Sequence, residues 1–289
     1  HGERTIHVVI ELHGRAIRRR SAGQHMLGGE HQHRRRPWNH PRLQHLATAP
    51  RVATVARQPR RSQHPVTVDA LRTAARDLPE GDSPLRCRVF LALSRELFWT
   101  APGGDGHPAE RVAHAERGFA MARRLGEPRL QSFACRTLSL AVMGPSTLDR
   151  RTALTEESIE CARAAGDPDG AGVGLFWRAV HAGEAGRIAE RRIAAAEAME
   201  HADRHGLRML QVMLGAYQSA WLALEGRFEQ ADALLADNLR QAALATFPFR
   251  TEAVTAARAT IALWRGEPEV TLELFRGLTE ATATDTDTG

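Results

Sequence analysis

Between residues 66 and 282 apolar positions recur with the spacing of amphipathic helices, as at Leu130, Phe133, Ala134, Leu138, Ala141 and Val142, or Phe228, Ala231, Leu234, Leu235 and Leu239. No stretch alternates apolar and polar residues as a half-buried strand does. The pattern predicts helices over 67–77, 84–98, 108–125, 128–143, 148–165, 168–185, 188–205, 208–225, 228–245, 250–265 and 268–281. The breaks fall on a grid of twenty residues, at Gly106, Gly126, Gly166, Gly186, Gly206, Gly226 and Gly266. The grid misses at 146 and 246, beside Gly144-Pro145 and Phe247-Pro248, which also interrupt helices.

Two kinds of break alternate. Leu125-Gly126-Glu127-Pro128 and Ala165-Gly166-Asp167-Pro168 read as a helix-ending glycine, an acidic cap and a proline in the next first turn. His205-Gly206-Leu207 keeps only the glycine. Gly186-Arg187-Ile188 and Gly226-Arg227-Phe228, the latter followed by Ala231, read as the turn between two antiparallel helices of one unit. The expected fold is all-α: an α-α superhelix of antiparallel helix pairs with a tetratricopeptide-like repeat of about 40 residues. On this phase the helix at 67–77 is the second member of a pair whose first member is missing, so the chain reads as truncated upstream. A stack of this kind buries a continuous core and leaves a long surface, which points to recognition rather than to chemistry.

Charge divides the chain. Residues 1–65 hold thirteen Arg against three acidic residues, nine of the fourteen His, and prolines at 37, 41, 50, 59 and 65. Residues 66–289 hold twenty-six Arg against thirty-one acidic residues, so the net charge of +5 comes from the front segment. That segment, 1–65, is expected not to fold alone. It reads as a disordered or spurious leader of the kind a misplaced start in GC-rich DNA yields. The alternative is a nucleic-acid-binding arm that sets Arg18-Arg19-Arg20 and Arg34-Arg35-Arg36 against phosphates. The domain reading is thus leader 1–65, helical repeat 66–282 and acidic, disordered tail 283–289. No run of about twenty apolar residues exists to span a membrane. Cys87, Cys135 and Cys161 form no Cys-x-x-Cys pair, which favours reduced, buried thiols and a cytoplasmic protein.

All thirty-nine basic residues are arginine. Without lysine the chain has no phosphate-binding loop of the Gly-x-x-x-x-Gly-Lys-Ser/Thr kind, no Schiff-base lysine and no kinase strand lysine. Gly170-Ala171-Gly172-Val173-Gly174 follows a helix start rather than a strand, so close helix packing explains it better than a nucleotide. His201 and His205 share a helix face but lack the intervening glutamate of a zinc protease. Ser83, Ser94 and Ser132 lack a nucleophile-elbow context. The expectation is a protein that is not an enzyme, with no catalytic residues, metal or cofactor.

One constellation stands above the rest. Trp177 and Tyr217 are forty residues apart, as are His181 and Trp221, and within each helix the two members are four apart. Arg178, Gln218 and Arg258 form a parallel stripe one residue on. If the first helix of each pair lines a groove, these seven residues are the candidate surface for a protein or peptide partner or a small-molecule effector. The competing reading is that the aromatic residues fill gaps between neighbouring units.

The turns, with Leu78-Pro79-Glu80-Gly81-Asp82-Ser83-Pro84-Leu85-Arg86, Ser94-Arg95-Glu96-Leu97, Ala122-Arg123-Arg124-Leu125-Gly126-Glu127-Pro128, Phe176-Trp177-Arg178-Ala179 and Leu224-Glu225-Gly226-Arg227-Phe228, carry a resemblance. The region from about 66 to 281 resembles the tetratricopeptide-like C-terminal helical repeats of large actinobacterial signalling ATPases, including transcriptional regulators with a LuxR-type helix-turn-helix and adenylate-cyclase-like proteins. The helices are longer than in the standard 34-residue tetratricopeptide, and 1–65 matches nothing in such proteins. The resemblance implies a sensor or scaffold arm whose ATPase and output domain lie elsewhere. A free-standing tetratricopeptide-like adaptor is the second expectation.

Overall fold

A computed structural model describes residues 65–99, 108–243 and 250–283. The chain separates into two units, His1–Arg61 and Ser62–Gly289, and every described residue belongs to the second. The expectations for 1–64, Gly106, Phe247-Pro248 and the 284–289 tail lie outside the described residues.

Eleven α-helices and one short 3-10 turn make up the described residues, with no strand among them. The helices are α1 (Pro65–Asp77), α2 (Pro84–Trp99), α3 (Pro108–Leu125), α4 (Pro128–Ala141), α5 (Leu148–Ala164), α6 (Pro168–Glu184), α7 (Ile188–His205), α8 (Arg208–Leu224), α9 (Phe228–Ala243), α10 (Arg250–Arg265) and α11 (Pro268–Ala283). Each predicted helix is present. Proline at the first position opens α1, α2, α3, α4, α6 and α11, where its missing N–H costs nothing. Asp167 caps α6 by accepting from the Gly170 N–H at 3.1 Å.

Gly126, Gly166, Gly186, Gly206, Gly226 and Gly266 all take positive φ, from 58 to 87°. Gly206 shows what the position does: at φ 63° it lets the chain leave α7 while Leu207 N–H bonds back to Ala202 O at 2.9 Å. A Cβ there would meet nothing within 4 Å, so conformation rather than space selects the glycine.

Sequential helices pack as antiparallel neighbours: α2 on α3, α4 on α5, α6 on α7, α8 on α9 and α10 on α11. Each second helix also packs on the first helix of the following pair. The two sets then differ. The first helices touch one another in order, α2 to α4 to α6 to α8 to α10, whereas α3, α5, α7, α9 and α11 make no comparable backbone approach among themselves. The first helices form a tight row and the second helices a looser one. Long ion pairs bridge the looser row: Arg123 to Glu157 at 2.7 Å, Arg150 to Glu116 at 2.6 Å and Arg163 to Glu197 at 3.1 Å. Helix α1 occupies the second row as well, packing on α2 and pairing Arg72 with Glu110 of α3 at 2.9 Å.

The core runs along the stack in connected clusters. Ile159, Leu175, Ala198, Leu210 and Leu214 fill the middle, while Val212, Ala216, Ala231, Leu235 and Val254 fill the C-terminal part. Small residues allow the close approaches. Gly172 lies against Leu210 and Gly174 against Ile159, so the glycine-rich start of α6 serves helix packing. Cys87 and Cys135 are buried free thiols, and burial holds the Cys87 pKa up at about 11. No helix among the described residues is long and apolar enough to cross a membrane.

Candidate functional site

Trp177 and His181 leave α6 toward α4 and α5. The indole and imidazole centroids are 5.8 Å apart, and His181 Nδ1 lies 3.4 Å from Thr155 Oγ1 on α5. His181 is 1% exposed, so it belongs to the interior of the junction rather than to an open surface. Its Nε2 has no hydrogen-bond partner among the described residues. Burial pushes its pKa down to about 4, and the neighbouring Arg151 guanidinium pushes the same way, so the ring is neutral at physiological pH.

Arg151 closes the floor of this junction at 1% exposure. It donates to Glu184 at the end of α6, Nη2 to Oε2 at 2.5 Å, and to Gly144 O at 3.1 Å. Between α4, α5 and α6 there remains a recess of about 10 Å³, lined by Arg136, Arg151, Thr155, Gly174, Trp177 and His181 among others. That is room for about one water-sized group.

Tyr217 and Trp221 stand forty residues after Trp177 and His181, on α8 against α6 and α7. The Tyr217 hydroxyl donates to Ala179 O at 3.0 Å. Trp221 lies beneath the Arg191 guanidinium, 4.4 Å from Cζ to ring centroid. Both aromatic groups close over Gly183, where an added Cβ would come within 2.7 Å of Trp221 Cζ2 and of Tyr217 Oη. At this junction the aromatic residues occupy the space between units.

The rest of the predicted stripe divides. Arg178 turns to the second row, bonding Glu156 on α5 (Nη2 to Oε2, 2.5 Å) and Glu197 on α7 (Nη1 to Oε2, 3.1 Å). Successive helix residues are about 100° apart, so the residue after Trp177 cannot share its outlook. Arg178 thus lies on a different face of α6 from Trp177, in the stripe one residue on. Gln218 is half-buried and Arg258 is exposed. His201 bonds Pro168 O through Nε2 at 2.8 Å and stacks on His205, and no cluster of three metal-ligating side chains occurs among the described residues.

A periodic feature of these junctions escaped the sequence reading. Arg111, Arg151 and Arg191 are forty residues apart, each four residues into a second-row helix. Arg111 lies over Phe98 at 5.1 Å, Arg151 pairs with Glu184, and Arg191 covers Trp221 and approaches Glu225 at 3.7 Å. The Nε of each is buried without a partner. The signal was present as an arginine recurring every forty residues at the start of helices whose other arginines are on the surface.

Two further arginines lie on the first row. Arg95 of α2 and Arg136 of α4 approach the same ring, Phe133, with Cζ at 5.4 and 6.0 Å from its centroid. The Glu96 carboxylate acts on Arg95, and those of Asp167 and Asp169 act on Arg136. Burial pushes the Arg136 pKa down to about 10, and the Arg95 charge adds to the shift.

No family model and no curated protein matches this sequence.

Proposed function

We propose that residues 66–282 form a tetratricopeptide-like α-α superhelix of 40-residue units that acts as a non-enzymatic sensor or scaffold arm of a signalling ATPase transcriptional regulator. The arm binds an effector or a protein partner in the cytoplasm. One observation carries this reading: the first helices touch in unbroken order from α2 to α10, giving a continuous row onto which side chains of successive units project. Repetition supplies the recognition surface, and the attached machinery supplies the chemistry.

Substitutions on the two rows test the reading. In affinity capture with the full chain, the charge reversals Arg95→Glu and Arg258→Glu on the first row are expected to abolish retention of the partner. Arg163→Glu, on the second row, is expected to leave it intact. Equal loss from all three variants, or loss from Arg163→Glu alone, contradicts the proposal. A nucleic-acid role for 1–65 is separated by deletion of that segment, which removes a salt-sensitive affinity for DNA only if the segment carries it.

A further inference from the structure

The pair α10–α11 can be compared position by position with the pair α8–α9 before it. Helix α10 packs on both α8 and α9, and Ala216, Ala223 and Leu235 are buried in one cluster with its Val254 and Ile261. It also reaches Asp232 of α9 through Arg265, Nη2 to Oδ2 at 2.5 Å. The residues forty positions after Ala216, Ala223, Leu235 and Asp232 are Ala256, Leu263, Phe275 and Leu272, on α10 and α11. All four are exposed, Leu263, Phe275 and Leu272 at 54, 48 and 56%. Among the described residues α10 and α11 pack on α8, α9 and each other, and no helix lies over this face.

The face does not repeat the inner ones. The position of Leu263 is Gly183 in α6 and Ala223 in α8, and a Cβ on Gly183 would come within 2.7 Å of Trp221 and Tyr217 on the following first-row helix. Leucine there holds a following helix off by the size of a side chain. The position of Leu272 is charged in the two units before, where Arg192 binds Glu225 at 2.9 Å and Asp232 binds Arg265. On α11 an apolar residue replaces that charge. The features that seat one unit on the next are thus missing, and an apolar surface stands in their place, as at sites of contact with another protein.

The charged rim says which protein. Glu269 and Arg276 are both exposed and lie seven residues apart on α11, with Leu272 between them on the same side. When two α11 helices cross antiparallel at Leu272, the Glu269 of each meets the Arg276 of the other. One face supplies both halves of both ion pairs, as an isologous twofold contact requires. Two helices of sixteen residues each, side by side, are about 24 Å long and about 20 Å wide and offer about 500 Å² per copy. The total of about 1,000 Å² stands at the threshold for a specific interface.

We infer that the α10–α11 face is a homodimer interface, closed on the same face of a second copy about a twofold axis at Leu272. The contact joins two stacks tail to tail and is independent of what the first row binds. Its size gives a reversible dimer whose population rises with concentration.

Sedimentation equilibrium of the full chain over a range of concentrations tests this. The mass is expected to rise from one copy to two. Leu272→Glu and Leu263→Glu are each expected to weaken association at least tenfold, whereas Ile193→Glu, at a 71% exposed position on α7, is expected to leave it unchanged. Glu269→Arg and Arg276→Glu are each expected to weaken self-association by setting like charges against each other. An equimolar mixture of these two variants is expected to restore it, because each then faces the opposite charge on the other. The substituted side chains are exposed, so helicity and melting are expected to stay as in the unaltered protein. The inference is overturned by a chain that stays monomeric at every concentration, or by a mixture that associates no better than its components. Association that survives Leu272→Glu, as one carried by residues 1–65 would, overturns it too, as does equal loss in Ile193→Glu and Leu272→Glu.

Discussion

The α4–α6 and α6–α8 junctions share a frame and diverge in what fills it. In both, an arginine four residues into the intervening second-row helix is buried against the end of the following first-row helix: Arg151 on Glu184, Arg191 toward Glu225. In both, two ring-bearing residues four apart face the preceding unit. Where the second ring is Trp221 it lies close over Gly183, and where it is His181 a small polar recess lies beside it. The α4–α6 junction thus pairs the Trp177 indole with the smaller His181 ring, and the α6–α8 junction pairs Tyr217 with the Trp221 indole.

Removing the large ring should give the largest effect. Trp221→Ala leaves a cavity over Gly183 and strips Arg191 of its stacking partner, and a loss of about 3 kcal/mol is expected in denaturant unfolding. The loss would show Trp221 as a packing residue first, whatever its part in binding. Arg151→Ala comes next, since it leaves the Gly144 carbonyl and Glu184 without their donor. A cost of about 2–3 kcal/mol is expected, below that of a fully buried pair because Glu184 is partly solvated.

Acid should separate the two junctions. The native pKa of His181 is depressed to about 4, below its value of 6.5 in the unfolded chain, so the unfolded state takes up the proton first. Stability from the neutral ring is full above pH 6.5 and is lost as pH falls toward 4, by about 3 kcal/mol. Glu184 and Glu156, which favour the charged ring, oppose part of this. His181→Phe should remove this component from a melting curve measured against pH, whereas Trp221→Phe should leave it. The smallest effect belongs to the second row. Arg163→Gln breaks an exposed pair with Glu197 and should cost about 0.5 kcal/mol or less, diminishing further with salt.

Much of the frame was legible in the sequence because glycine at the turns and apolar spacing within helices are local signals. Gly166, Gly186 and Gly226 mark turns that the backbone confirms by their positive φ. The candidate site was legible in outline only. Trp177, His181, Tyr217 and Trp221 do meet the preceding unit, yet which of them is enclosed depends on partners from other helices, such as Arg151, Arg191 and Gly183. The stripe one residue on was legible at Arg178, but its partners Glu156 and Glu197 lie on other helices and are not near it in the chain. The recess itself depends on a difference in ring size between two equivalent positions, which appears only when both junctions are built.

The most direct measurement fills the recess. His181→Trp copies the α6–α8 solution into the α4–α6 junction, and its unfolding free energy is followed against pH beside that of the unaltered protein. The account predicts a folded variant from which the loss of stability between pH 6.5 and 4 is gone. A folded variant that keeps the same acid dependence would contradict it, because His181 would then not be the group that the junction holds neutral.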